Sequence, residues 1–113
     1  MSEKTLKDFS VVNAGVTNDI VEHADVVPNG TVWSMQFFSA ADINQGNNAS
    51  SVYVIRFGTE ILRFFVYTGN SDRVNLGPIE VTGNGTDKVN VMRMNYDSVN
   101  KRLPFVLEMY ERA

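Results

Sequence analysis

The chain has 113 residues, enough for one domain that buries its own core without metals or disulfides. Its net charge of -3 comes from scattered acids and bases, so we expect no nucleic-acid partner, which would need a concentrated basic face. The absence of cysteine excludes disulfides, thiolate zinc sites and a cysteine nucleophile. No apolar run approaches the roughly 20 residues of a membrane helix, so we expect no membrane partner either.

The first eight residues are polar and charged, and they lack the apolar region of a signal peptide. We therefore predict an N-terminal arm over residues 1–8, a β-sandwich domain over residues 9–113, and synthesis in the cytoplasm. The arm either lies along a neighbouring subunit or is a frayed terminus.

Turn residues recur about every ten positions along the rest of the chain, and helical periodicity is nearly absent. Between the turns we predict strands at residues 9–13, 17–27, 31–39, 52–57, 60–67, 73–76, 79–81, 88–95 and 103–111. This pattern favours an all-β fold: a two-sheet antiparallel sandwich of jelly-roll type with about eight strands in a single domain. A small barrel is the alternative.

The segment 52–67 reads as a hairpin whose two-residue turn is Gly58-Thr59. The turn predicts a register that pairs Tyr53 with Phe64 and Ile55 with Leu62. One face then carries only apolar side chains, namely Tyr53, Ile55, Phe57, Leu62, Phe64 and Val66. The other face carries Val52, Ile61, Phe65 and Tyr67 around Arg56 and Arg63. Because this second face is too apolar for water and too charged for a core, we expect the arm, a loop or another subunit to cover it.

No group of residues predicts an enzyme. His23 shares a strand face with Asp25, an arrangement that is common without catalysis. The acids within strands, Glu60, Glu80 and Glu108, show no sign of converging as a glycosidase pair would.

Trp33 alternates with Met35 and Phe37, so it is predicted to lie in the core.

No cofactor is expected either. Residues 42–48 resemble a calcium loop only faintly, because the spacing of an EF-hand and its closing glutamate are absent. Gly83-Asn84-Gly85 is not followed by a helix, so it does not predict a phosphate-binding loop. We therefore predict neither a metal nor a nucleotide.

Two turn motifs and the last strand carry a resemblance to a known family. The chain reads Val27-Pro28-Asn29-Gly30-Thr31-Val32-Trp33, then the arginine-containing hairpin, then Thr82-Gly83-Asn84-Gly85, and near its end Glu108-Met109-Tyr110-Glu111. Over about residues 26–110 this pattern resembles small bacteriophage virion proteins. Their jelly-roll domain is similar to carbohydrate-binding modules, and several of them act as capsid decoration or cement proteins.

The resemblance implies a non-enzymatic virion structural protein that stabilises a phage shell by bridging capsid subunits. Its partners would be the major capsid protein and further copies of itself, as a dimer or trimer. The residues that we expect at such contacts are Arg56, Ile61, Arg63, Phe65, Tyr67 and Tyr110. The alternative function is a carbohydrate-binding β-sandwich module, related to a phage tail or receptor, in which loops and tyrosines contact a glycan.

Overall fold

The computed structural model describes residues 3–40, 51–66 and 73–112, and all regular structure in these segments is β-strand. The ten strands are β1 (Glu3–Asp8), β2 (Val11–Val12), β3 (Asp19–Val26), β4 (Val32–Ala40), β5 (Ser51–Phe57), β6 (Glu60–Val66), β7 (Arg73–Thr82), β8 (Lys88–Asn95), β9 (Lys101–Arg102) and β10 (Phe105–Arg112). None of the described segments contains a helix that is long and apolar enough to cross a membrane.

Two four-stranded antiparallel sheets form a sandwich. The first sheet has the strand order β1-β10-β4-β7 and the second has the order β3-β8-β5-β6, while β2 and β9 form a small separate ladder. The other eight strands, counted first to eighth in chain order without β2 and β9, follow the jelly-roll arrangement. The first, eighth, third and sixth of them form one sheet, and the second, seventh, fourth and fifth form the other. The predicted all-β, two-sheet sandwich is therefore confirmed.

The core fills the space between the two inner faces. Trp33, Met35 and Phe37 alternate along β4 and are fully buried, as their spacing predicts. From the second sheet Tyr53 and Ile55 point toward them, and the rings of Phe37 and Tyr53 meet edge to face with their centroids 5.3 Å apart. The other apolar side chains of this core are Leu6, Val12, Val27, Phe57, Val74, Ile79, Val81, Val89, Val91, Leu103, Phe105, Leu107 and Met109.

The segment predicted as a polar arm is largely a strand. Residues 3–8 form β1, which pairs with β10 from Glu3↔Tyr110 to Asp8↔Phe105 and lies at the edge of the first sheet. Its single large apolar side chain, Leu6, is buried, while Lys7 is exposed. A polar segment suits an edge strand, because its charged side chains remain in water and discourage pairing with a further strand.

The hairpin register is wrong beyond the turn. The pair Arg56↔Ile61 forms as predicted, but the next pair is Ile55↔Arg63, so β6 holds one residue more than β5 at this point, Leu62. A strand has a side-chain period of two, and one extra residue therefore exchanges the two faces of β6 beyond the bulge. Phe65 consequently packs against the core, while Phe64, predicted to be buried, is 62% exposed.

The two turn motifs of the sequence lie against each other. The N–H of Gly30 donates to the carbonyl of Gly83 at 3.1 Å, and the N–H of Gly83 donates to the carbonyl of Thr31 at 2.8 Å. The N–H of Gly85 donates to the carbonyl of Val27 at 2.9 Å. The motifs therefore have a structural role at this end of the sandwich.

Candidate functional site

A cleft of about 500 Å³ opens at one end of the first sheet. Four separate parts of the chain form it: the segment between β1 and β2, the end of β4, the beginning of β7 and the beginning of β10. Its lining residues are Phe9, Phe38, Ser39, Arg73, Val74, Asn75, Pro104, Phe105 and Val106. The volume lies in the range of small-molecule sites, roughly 300–1,000 Å³.

The cleft combines apolar rings with polar side chains. Phe9 is 54% exposed, and Phe38 is half-buried on the outer face of β4. Phe38 stands next to Val106 of β10 on one side and Asn75 of β7 on the other, since these residues are cross-strand partners. Asn75 and Arg73 are exposed, and within the described residues neither side chain has a hydrogen-bond or ion-pair partner. The rings supply an apolar surface beside groups that can hydrogen-bond to a ligand.

Pro104 in the wall of the cleft is fixed by two hydrogen bonds. The carbonyl of Pro104 accepts hydrogen bonds from the Ser39 hydroxyl at 3.0 Å and the Tyr53 hydroxyl at 2.9 Å. One bond comes from the first sheet and the other crosses the sandwich from the second. Pro104 is therefore fixed relative to both sheets.

A buried arginine supports the same end of the molecule. The Arg93 side chain is 1% exposed and forms ion pairs with Asp8 at 3.0 Å and Asp19 at 2.8 Å. Its guanidinium also donates to the carbonyls of Leu103 and Ser10. It lies 5.6 Å from the ring centre of Phe105, within the range of a cation–π contact. Because the flanking residues Asp8 and Ser10 both bond to Arg93, the network also positions Phe9.

The ionisation of Asp8 reflects this network. Burial by itself would raise the pKa of the carboxyl, but hydrogen bonds from Ser10 and the positive charge of Arg93 act more strongly in the opposite direction. The net effect is a pKa below the ordinary value of 3.8. Asp8 is therefore held as a carboxylate, as its pairing with Arg93 requires.

The short strand β9 contains a second buried cation, Lys101. Lys101 is almost fully buried, and its ammonium lies 3.3 Å from an oxygen of Asp97 and 3.3 Å from the Ser51 hydroxyl. Asn95 donates from its side-chain nitrogen to the carbonyls of Val12 and Val99. Among the described residues no buried side-chain nitrogen or oxygen lacks a partner. These groups hold loops in place and are not available to a ligand.

Five of the six residues expected at contacts lie in the described part of the chain, and these five belong to both sheets. Arg56 and Ile61 are cross-strand partners on the outer face of the second sheet, and Arg63 is exposed on its edge strand. Phe65 is half-buried against the core. Tyr110 lies on the first sheet, where its hydroxyl donates to Glu108 at 3.1 Å. Tyr67 lies outside the described residues.

The remaining candidates have ordinary structural surroundings. The Nδ1 atom of His23 accepts a hydrogen bond from the backbone N–H of Asp25, and its ring meets Trp33 edge to face. No group of three or more potential metal ligands occurs within residues 3–40, 51–66 and 73–112. The calcium-like segment 42–48 lies outside this part of the chain.

Sequence reasoning missed the cleft and the arginine network. Phe38 offered a signal, since alternation placed this aromatic ring on the face opposite Trp33. Arg93 offered another, because it shares a strand face with the buried Val91. Phe9 gave no comparable signal, because its position depends on the partners of its two neighbours.

The fold defines this chain as a single-domain β-sandwich of jelly-roll type. Its structure is similar to the CBM36-1 domain of a multidomain xylanase from the hindgut metagenome of Trinervitermes trinervoides, with a TM-score of 0.53, 14% identity and 99% of each chain covered. Lower scores, 0.49 and 0.48, relate it to FLHE (10% identity, 97% of this chain and 98% of that chain covered) and to the Bacillus endospore appendage pili (12% identity, 96% and 88% covered). No family model and no curated protein matches the sequence.

Proposed function

We propose that the protein is a non-enzymatic carbohydrate-binding module. The observation that carries the proposal is the cleft, in which Phe9 and Phe38 lie beside Arg73 and Asn75. A sugar ring has an apolar face of C–H groups and a rim of hydroxyls. Such a ligand needs an aromatic surface and nearby hydrogen-bonding groups, and the cleft supplies both.

The likeness in fold to a carbohydrate-binding module of a xylanase supports the same proposal, although at 14% identity it concerns the fold alone. Among residues 3–40, 51–66 and 73–112 neither Arg73 nor Asn75 has a side-chain partner, so both side chains can hydrogen-bond to hydroxyl groups. We therefore propose soluble oligosaccharides or polysaccharides as the ligand class.

Calorimetric titration with a panel of soluble xylan, glucan and mannan fragments tests this function. We expect at least one of them to bind, and we expect Phe38→Ser and Phe9→Ser each to weaken that binding about tenfold, which corresponds to about 1.4 kcal/mol. Phe64→Ser is the matched control, because Phe64 is a similarly exposed phenylalanine outside the cleft. Absence of binding across the panel, or an equal loss in the control, would refute the proposal.

A capsid-decoration role is the second candidate. The observation that favours it is a group of exposed apolar side chains on the outer face of the second sheet, Ile20, Ile61, Phe64 and Val66, since a bridging protein needs apolar contact area. Co-sedimentation with empty phage shells tests it, provided that genes for virion proteins neighbour the gene of this protein. Recovery of the protein in the pellet together with the shells would support this role, and its recovery in the supernatant alone would count against it.

A further inference from the structure

The outer face of the second sheet is apolar across all four strands. Cross-strand pairing places one row of apolar side chains along it, and a second, shorter row lies beside the first. The first row is Ile20, Met92, Val54 and Phe64, and the second is Met94, Val52 and Val66. Ile20, Phe64 and Val66 are exposed, and Ile61 on the same face is 60% exposed. Val54 at the centre of the face is buried by its neighbours, while Val52, Met92 and Met94 are half-buried. We call this surface the apolar face.

The outer face of the second sheet offers the area of a small interface. Four strands about 4.8 Å apart, each about seven residues long at about 3.4 Å per residue, give a footprint of roughly 450 Å². The largest apolar patches of monomeric proteins are about 300–600 Å² and are often functional. A standard interface buries about 800 Å² of accessible surface on each partner. The footprint and its rim therefore suit an association of modest strength.

Charges at one end of the face indicate which partner fits it. Glu22 on β3 and Arg56 on β5 belong to one row, which continues to Ile61 on β6. Glu22 has only a long ion pair, at 3.9 Å to Lys88. Arg56 donates to the side-chain oxygen of Asn90 at 2.9 Å, and no described carboxylate pairs with it. Each of the two charges is thus available to an external partner.

A twofold axis parallel to the strands satisfies both charges at once. Rotation about this axis reverses the order of the strands across the sheet but leaves each row at the same height along the strands. As a result, β3 of one copy lies over β6 of the other, and β8 lies over β5. Ile20 then faces Phe64 of the second copy, and the two apolar rows meet apolar rows. Glu22 lies above the corner that Arg56 and Ile61 of the second copy form. Sheets in sandwiches pack in this way, at about 10 Å and within about 30° of parallel.

We propose that the apolar face binds the same face of a second copy, forming a twofold-symmetric dimer. A second copy fits better than an unrelated protein because the face carries both charge signs, and the twofold axis brings Glu22 of each copy over the strand that lies beside Arg56 of the other copy. Such an interface is isologous: each contact occurs twice.

Sedimentation velocity over a range from about 1 µM to about 1 mM tests the dimer, since this range spans modest affinities. We expect the wild type to dimerise within it and Phe64→Ser to raise the dimer Kd about tenfold or more. Phe9→Ser is the control: Phe9 is exposed to a similar extent but lies in the cleft, so its Kd should equal that of the wild type. A monomeric wild type at the highest concentration, or equal effects of the two variants, would overturn the proposal.

A charge exchange tests the geometry separately. Glu22→Arg and Arg56→Glu should each weaken the dimer, and the double variant should recover most of the lost affinity because the pair forms between copies. Circular dichroism and urea unfolding establish that each variant is folded. A double variant that is weaker than either single variant would exclude the proposed orientation.

Discussion

Arg93 lies on the inner side of β8, where an unpaired charge would be costly. Its two carboxylate partners come from β1 and β3, and each of their side chains is 30% exposed. The guanidinium thereby joins both sheets at the end of the molecule where the cleft opens. Phe9 and Phe105, which line the cleft, adjoin this network.

Replacing Arg93 should therefore destabilise the fold. We expect Arg93→Met to lower the free energy of unfolding by about 3 kcal/mol, because Asp8 and Asp19 then lose their partner in a partly buried site. Arg112→Met is the control: Arg112 and Glu80 form an exposed ion pair, which is worth about 0–1 kcal/mol. Urea unfolding gives both values, and equal losses would contradict the structural role of Arg93.

Asp8 makes stability depend on acid. Because the pKa of the folded carboxyl lies below its ordinary value of 3.8, its contribution is complete at neutral pH and is lost as the pH falls through the folded pKa. We expect Asp8→Asn to be less stable than the wild type at pH 7 and the difference to shrink from about pH 5 downwards. Urea unfolding at a series of pH values measures it. A difference that stays constant with pH would refute the assignment.

The pairing of β3, β6 and β7 is irregular, and the bulges in β6 and β7 changed what the sequence pattern predicted. In β6 the extra residue Leu62 turns Phe64 outward. In β7 Gly77 and Pro78 together lie opposite Gln36, so β7 holds one residue more than β4 between the pairs Met35↔Ile79 and Phe37↔Leu76. The sequence pattern predicted two strands in place of β7, yet the ladder with β4 resumes after the bulge. Bulges of this kind bend a strand without ending it. Both bulges lie on strands at the edges of their sheets.

The contact between the two turn motifs predicts an intolerant position. A Cβ atom added at Gly83 would lie 2.1 Å from the carbonyl oxygen of Pro28, so the backbone itself would have to move. We expect Gly83→Ala to lower the free energy of unfolding by about 3 kcal/mol, the upper end for overpacking. Gly85→Ala should cost about 1 kcal/mol, since its nearest contact is 3.5 Å away and only its positive φ opposes a side chain. Equal losses would show that the clash is relieved.

At the scale of the whole molecule, the sandwich separates two surfaces. The cleft belongs to the end of the first sheet and the apolar face to the outer side of the second, so the core lies between them. The proposed glycan site and the proposed dimer contact therefore do not overlap. Glycan binding and dimerisation can accordingly be tested, and can fail, independently through Phe9→Ser and Phe64→Ser.

Local sequence determined the strands and the main part of the core. The alternation of Trp33, Met35 and Phe37 defines their inward face, and the predicted bounds of β8, 88–95, agree with the structure. These features depend only on near neighbours, because side chains alternate along a strand and turn residues end it. The turn at Gly58 follows the same rule, and this glycine has a φ of 61°.

Only the tertiary structure decided which residues meet at a site. β1 becomes a strand by pairing with β10, which is about a hundred residues away in the chain. Arg93 can be buried because two carboxylates from distant parts of the chain pair with it. One extra residue in β6, Leu62, exchanged the two faces of this strand and turned Phe64 from the core side to the outer side. Pairing partners and bulges depend on contacts between remote segments, which the local alternation of side chains does not encode.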